Sequence, residues 1–444
     1  MKNILSLIFC LSLLLVGCGK YSARLDQSWT LPTEVTKSID GLVGGIELYK
    51  WHNTVIALQG LDDGSARCFT MKRDSNSWQE VQLAGVPRGY LWAYPAIDQA
   101  TDRVFFEQGY MENDHLVMNV LAGQMSENMT ARNTVEKQWI TDKKALFEKA
   151  PSNIRLNDPG KRDWPSLGVG LINGSDYYIP YRLMGEAWLG NGISVDESLF
   201  HNGVFHSSDS GKTWQLEKIS DFESWLPSLS MTKSNYYYLG VKNAQRELWF
   251  SHKSTQDRSW DAPQVITKTF CNSALYWKYV AIAENDTVHV CWLDRRHEKK
   301  RLNLEDSSYN NFEVAYCYRT NSENGWNKDV ILSKGILHSC APSMSVEGDK
   351  IIIVWAGSEN EDTATDIYYT TSKDGGNTWT KPLKVTDRAK DGITSGEPRV
   401  MLLNGVTHLF YIQGKRNRQQ LSPGLTLLNQ PPWPIYYTQR PFPN

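Results

Sequence analysis

Two segments of this 444-residue chain, SSDSGKTW (207–214) and SKDGGNTW (372–379), share the pattern S-x-D-x-G-x-T-W. The aspartate can accept the turn's own N–H groups, the glycine permits positive φ, and the tryptophan plugs the space beside the next strand. Weaker copies are MKRDSNSW (71–78), HKSTQDRSW (252–260) and YRTNSENGW (318–326), and short β-patterned runs such as RCFTMK, ELWFSHK, EVAYCYR and DIYYTTS accompany the boxes. A turn repeated behind the same kind of strand restricts the fold to an array of similar β units.

The two ends of the chain hold complementary halves of one repeat. PIYYTQRPFPN (434–444) matches DIYYTTSKDGG but stops before the tryptophan, whereas QSWTLPTEVT (27–36) has the tryptophan and following strand with nothing before them. The shared W-T-x-P-x-x-V-T of 29–36 and 379–386 predicts that the N-terminal strand completes the last unit. Such a seam removes an exposed sheet edge.

The repeat-marking tryptophans are Trp29, Trp78, Trp139, Trp214, Trp260, Trp326 and Trp379, and third-strand copies fall near 68, 117, 205, 250, 316, 369 and 437. Both series reach seven. The expectation is one all-β domain over 26–444, a seven-bladed β-propeller. Six blades is the alternative count, since Trp139 and the strand near 117 match least well.

The first 17 residues read as a signal peptide: Lys2, then the apolar run ILSLIFCLSLLLVG (4–17), too short for a comfortable membrane span. LVGC (15–18) resembles a bacterial lipobox, which implies cleavage before Cys18, lipidation of its thiol (palmitate among the acyl chains), and residues 18–25 as anchor and linker. Several acyl chains at one N-terminus suffice for stable anchoring. Gly19 and Lys20 after the cysteine favour an outer-membrane or cell-surface address in the envelope. The membrane is expected to be met through this lipid alone, by a monomer.

A net charge of −2 gives no basis for a nucleic-acid partner. Tryptophan and tyrosine number 17 and 21, which suits interblade packing and sugar stacking equally. Beyond Cys10 and Cys18, the cysteines at 68, 271, 291, 317 and 340 are odd in number and irregularly spaced, unlike a disulfide framework. Cys291, Cys317 and Cys340, with His297 and His338, have the chemistry of a zinc site without its spacing, and GSENEDTATD (357–366) has oxygen ligands without a calcium-loop signature. Buried free thiols are the expectation, and no cofactor is assigned. His52 reads as a packed mid-strand residue, His206 as a strand residue, and His201, which ends a long insertion, as a functional candidate.

At its boxes the chain resembles the sialidase-like Asp-box (BNR repeat) superfamily of bacterial propellers. The resemblance covers the mature chain through its repeat and implies that Asp209 and Asp374 are turn residues on the face away from the active site. It places the active face among the loops leading into each first strand and those joining second to third strands. Sialidases hold a substrate carboxylate with arginines, for which bidentate guanidinium pairing is suited. The resemblance therefore implies acidic-glycan binding by Arg88, Arg296 and Arg399, with Trp92, Trp164 and Trp225 as stacking rings. Catalytic candidates are Tyr279, Arg295, Glu397 and His201. The first blade reads GIELYKWHNTVIAL where that family opens with Arg-Ile-Pro.

A second resemblance is to seven-bladed propellers acting on uronic-acid polysaccharides. In YVAIAENDTVHVCWLDRRH, Tyr279 and Arg295 are 16 residues apart, so a strand hairpin returns both to one end. Arg295 would neutralise a uronate carboxylate while Tyr279 moves the α-proton. The leading expectation is a lipid-anchored, sialidase-like glycoside hydrolase. The alternatives are a uronate lyase and a non-catalytic glycan-binding or scaffold lipoprotein, since one fold hosts many functions.

Overall fold

The computed structural model describes residues 23–36, 42–61, 66–72, 78–81, 96–98, 102–112, 115–124, 134–142, 166–167, 170–183, 186–189, 192–195, 201–222, 224–242, 246–270, 279–297, 312–322, 325–359, 364–415 and 434–443. The leader and Cys18 lie outside these.

Among the described residues, seven antiparallel sheets of four or five strands follow one another along the chain. Blade 1 runs Leu42–Trp51, Thr54–Leu61, Ala66–Lys72 and Gln79–Val81. Blade 2 runs Ala96–Asp98, Arg103–Glu112, His115–Gln124 and Thr134–Asp142. In blade 3 the first strand comes in two pieces, Ser166–Leu167 and Leu171–Asn173, before Asp176–Leu183, His201–Ser207 and Gln215–Ser220. Its second-to-third connection carries an extra hairpin, Glu186–Leu189 against Gly192–Val195. Blade 4 is Trp225–Met231, Asn235–Lys242, Glu247–Ser254 and Gln264–Thr267. Blade 5 is Tyr279–Glu284, Thr287–Asp294, Glu313–Thr320 and Val330–Ile331. Blade 6 is Leu337–Glu347, Lys350–Ser358, Asp366–Ser372 and Leu383–Lys384.

Blade 7 supplies three strands from the C-terminal region, Ile393–Leu403, Val406–Lys415 and Ile435–Pro441. Its fourth is Thr33–Thr36, with Thr33 opposite Tyr437 and Glu34 opposite Tyr436. The seam expected from the two half-repeats is therefore formed. Just upstream the chain also ties to blade 6, where the Asp26 and Lys384 amides donate to Lys384 and Arg24 carbonyls at 2.9 Å.

Contacts between neighbouring blades run from blade 2 through blade 7 and on to blade 1, each involving the first strand of one of the two blades. Blades 1 and 2 meet where Trp51 Nε1 and His52 Nε2 lie 2.9 and 2.7 Å from Asp102 Oδ1. His52 is thus an exposed turn residue with φ of 47°, not a packed mid-strand one.

The core lies between blades rather than in one centre. One cluster joins Cys291, Tyr316, Trp355, Tyr368, Leu409 and Tyr411 of blades 5 to 7; another joins Phe69 and Met71 of blade 1 to Phe410 and Tyr437 of blade 7. Trp249, Trp292 and Trp355 are fully buried, each contributing roughly 1.5–3 kcal/mol or more by removal from water. Aromatic and β-branched side chains on both faces of a strand suit sheets covered on both sides.

The good boxes behave as turns. Ser372 Oγ accepts from Gly376 N at 2.9 Å, Asp374 accepts from Thr378 N and Thr378 Oγ1 at 2.9 and 2.6 Å, and Trp379 Nε1 donates to Gly376 O at 3.0 Å. Ser207, Asp209, Gly211, Thr213 and Trp214 repeat the pattern. Gly376 has φ of 94°, and a Cβ there would lie 2.1 Å from the Tyr316 hydroxyl, so the position needs glycine.

Candidate functional site on the loop-bearing end

Short first-to-second-strand turns such as Asn285–Asp286, Gly348–Asp349 and Asn404–Gly405 share one end with the Asp boxes. The longer second-to-third connections lie at the other end. There the first strands of blades 4, 6 and 7 carry bulges over Leu226-Pro227, Ala341-Pro342 and Glu397-Pro398, where register shifts by one residue. Proline lacks the amide a ladder needs, so it is tolerated at a bulge. Ala341 and Glu397 hold φ of 48° and 46°, and His338 holds 50°. Each such non-glycine conformation costs about 1–3 kcal/mol and clusters at functional sites in general.

The residue after each bulge proline reaches the neighbouring blade. Ser228 Oγ lies 2.9 Å from the Tyr279 hydroxyl, and Ser343 Oγ accepts from Val400 N at 3.1 Å. In blade 7 the same position is Arg399. Its Nε and Nη2 donate to Glu47 Oε1 at 3.2 and 3.0 Å, its Nη1 donates to Pro398 O at 3.0 Å, and Glu397 Oε2 lies 3.5 Å from Nη1. Counting back four from the last paired first-strand residues Trp51, Glu347 and Leu403 gives Glu47, Ser343 and Arg399, one level around the ring. Arg399 is 9% exposed, while Glu47 and Glu397 are 41% and 27% exposed. A nearly buried cation thus holds two water-accessible carboxylates on the first strands of adjoining blades.

The other predicted residues are spread more widely. Arg296 Nε and Nη2 each donate at 2.8 Å to the buried Asp294 carboxylate, and Nη2 also pairs with Asp329. Burial pushes the Asp294 carboxyl up, but Arg296 and Thr269 donors more than offset this and hold it low. The guanidinium is therefore committed to two carboxylates of its own blade. Arg295 is half-exposed beside it, its amide donating to Thr269 O at 2.9 Å. The Tyr279 hydroxyl donates to Leu239 O at 3.1 Å and faces Ser228, and burial raises its pKa. That places it in the joint between blades 4 and 5.

His201 opens the third strand of blade 3 opposite Leu183, and Trp225 opens blade 4 opposite Val241; for both only the backbone is described. Arg88, Trp92, Trp164 and Cys271 lie outside the described residues, and of Cys68, in the third strand of blade 1, only the backbone is described. Cys291, Cys317 and Cys340 are buried free thiols, and burial pushes Cys291 up to about 12. His297 Nδ1 lies 2.5 Å from Glu313 Oε2. Of the acids in 357–366, Glu359 accepts from Ala23 N at 2.8 Å and pairs with Lys384, and Asp366 accepts from Thr386 Oγ1 at 2.9 Å. Among the described residues, no three His, Cys, Asp or Glu side chains are grouped to hold a metal.

Sequence reasoning did not single out Glu47 or the bulge motif. Both left a signal: Glu47 is the acid inside the strand LVGGIELYKW, and x-Pro recurs just ahead of or within the first strands as Pro95-Ala96, Pro165-Ser166, Pro227-Ser228, Pro342-Ser343 and Pro398-Arg399.

No protein-family model matches the chain, and no curated protein matches it. Among solved structures it is similar to a mutant of Trypanosoma rangeli sialidase displaying trans-sialidase activity, at 9% identity and TM-score 0.42, over 94% of this chain and 60% of that one. It is also similar to an ulvan lyase, at 10% identity and TM-score 0.49, over 86% of this chain and 94% of that one. A third is the phage phi92 endosialidase, at 9% identity and TM-score 0.43, over 94% and 70%. The chain spans about three fifths of the sialidase's length. At these identities the likeness is one of fold.

Proposed function

We propose that the loop-bearing end of this propeller binds and cleaves an acidic glycan by hydrolysis. The observation that carries the reading is the Glu47–Arg399–Glu397 triad. Two accessible carboxylates near one another are what a glycoside hydrolase needs, one to protonate the leaving oxygen and one to act as nucleophile or base. Arg399 fixes both in place. The strained backbone at Glu397 supports a functional role for it. Uronate elimination has less support, because the Tyr279 hydroxyl is engaged between blades by Leu239 and Ser228.

The test is incubation of the leaderless protein with sialylated and uronate-containing glycans, read by mass analysis. Hydrolysis adds water across the cut bond, and the reading expects such products from wild type and their loss, by 100-fold or more as an order of magnitude, in Glu397→Gln and Arg399→Met. Unsaturated products would move the assignment to a lyase. Binding without turnover would move it to a glycan-binding scaffold.

The same reading takes the protein as a monomer anchored in the cell envelope, at the outer membrane or surface, by lipid on Cys18. Palmitate incorporation in the wild type and its absence in Cys18→Ser is the corresponding check.

A further inference from the structure

At the Asp-box end, the interface of blades 3 and 4 and that of blades 4 and 5 repeat one constellation but differ in the acid that completes it and in the residue that acid faces. Tyr178 stands opposite His206 and stacks on it at 4.2 Å; Tyr237 stands opposite His252 and stacks at 5.8 Å. The next blade sends in a buried cation from the penultimate residue of its third strand. Lys253 lies over Tyr178 at 5.2 Å, and Arg319 adjoins Tyr237. The same blade adds a tryptophan four residues ahead of its fourth strand, Trp260 in one case and Trp326 in the other.

In the first interface one oxygen serves both donors. Glu217 Oε2 accepts from Lys253 Nζ at 2.7 Å and from Trp260 Nε1 at 2.8 Å. Glu217 stands opposite Val204, two residues before His206. Two residues before His252 is Phe250, and the residue opposite it is Gln264, an exposed neutral amide. Arg319 and Trp326 both lie on the Phe250 ring, at 5.3 and 5.2 Å. Arg319 is 8% exposed, and among the described residues its Nε and Nη1 and the Trp326 Nε1 are buried without an acceptor. The third cation at this strand position, Arg440, has a carboxylate in Asp26.

We propose that a small inorganic anion of the halide class binds between Arg319 and Trp326, where the Glu217 carboxylate stands in the preceding interface. Water would satisfy N–H donors but would give the guanidinium no direct counter-ion in a low-dielectric joint. The surrounding groups fit this. Arg319 bonds the Tyr237 hydroxyl, which donates to Asn321 Oδ1 at 2.8 Å; of the two carboxylates in this cluster, Asp286 accepts from Asn321 Nδ2 at 3.2 Å and Asp261 lies 3.0 Å from His252, so each has another partner.

The test uses the purified full-length mature protein with sodium bromide as probe. Crystals soaked in bromide should give an anomalous peak within hydrogen-bond reach of Arg319 Nε and Trp326 Nε1. At fixed ionic strength, exchanging gluconate for bromide should raise Tm by roughly 1–3 °C. Arg319→Met should remove that rise. Gln264→Glu, which restores the acid of the preceding interface, should raise Tm in gluconate and also remove the bromide effect, and it serves alone if Arg319→Met does not fold. No peak, an equal Tm in both salts, or an unchanged bromide effect in either variant would overturn the proposal.

Discussion

Asp26 and Arg440, 414 residues apart, share an ion pair where the N-terminal segment crosses from blade 6 to blade 7. The Tyr369 hydroxyl donates to the same Asp26 oxygen at 2.6 Å, and Arg440 lies over the Trp29 ring at 5.6 Å. Burial raises the Asp26 pKa, but donors from Tyr369, Ser28 and Arg440 outweigh it and hold the carboxyl below its ordinary value of 3.8. The fastener is formed by the two ends of the chain and by a blade that lies between them in space. Asp26→Ala should cost roughly 2–4 kcal/mol, because it leaves Arg440 buried without its partner. Urea unfolding of the variant beside the wild type measures this, with Tyr369→Phe expected to lose about 1 kcal/mol.

The Asp boxes should be separable from function. Asp209→Ala and Asp374→Ala remove the acceptors that hold Thr213 and Thr378, so both should lower Tm. Glycan turnover per folded molecule should stay at the wild-type value, because the boxes stand at the opposite end from Glu397. A loss of turnover without a loss of Tm would assign the boxes a chemical role.

The joint between blades 3 and 4 should be pH-dependent. Burial lowers the His206 pKa, but Glu217 at 2.8 Å and Asp176 at 3.0 Å outweigh it and hold the ring above its usual 6.5. Its contribution is therefore complete below about 6.5 and lost as pH rises through the raised value. Glu217 is held down to about 2 by His206 and Lys253 despite burial, so its contribution is complete above 4.5 and lost as pH falls toward 2. The difference in unfolding free energy between wild type and His206→Ala should be largest between about pH 4.5 and 6.5 and shrink on the alkaline side. Chemical unfolding across pH 4–9 checks this.

The fold was legible because its signals are local. Seven tryptophans ahead of or within fourth strands, and seven third-strand copies, can be read one at a time, and the half-repeats at the ends imply the seam without any long-range information. The site was less legible because its decisive contacts are long-range. Arg399 was chosen from its motif, but its partner Glu47 is 352 residues away and stands in the blade whose expected Arg-Ile-Pro opening is replaced. Arg296 looked like a free rim arginine because sequence does not reveal that Asp294 and Asp329 both claim it. Tyr279 met a similar fate: strand spacing predicted its end of the sheet, but not the Ser228 and Leu239 groups of the next blade.

The measurement that most directly tests the architecture is a cross-link across the seam. Glu34 and Tyr436 are register partners on strands from opposite ends of the chain, and antiparallel partners have Cα atoms about 4.5–5.5 Å apart, within disulfide reach. Glu34→Cys with Tyr436→Cys should oxidise within the native monomer to one linked peptide pair, identified by mass spectrometry, while Ser28→Cys with Tyr436→Cys should not. If both thiols of the first pair stay reduced in folded protein, or link as readily in the control, the N-terminal strand does not complete blade 7. The placement of Glu47 beside Arg399 would then lose its frame.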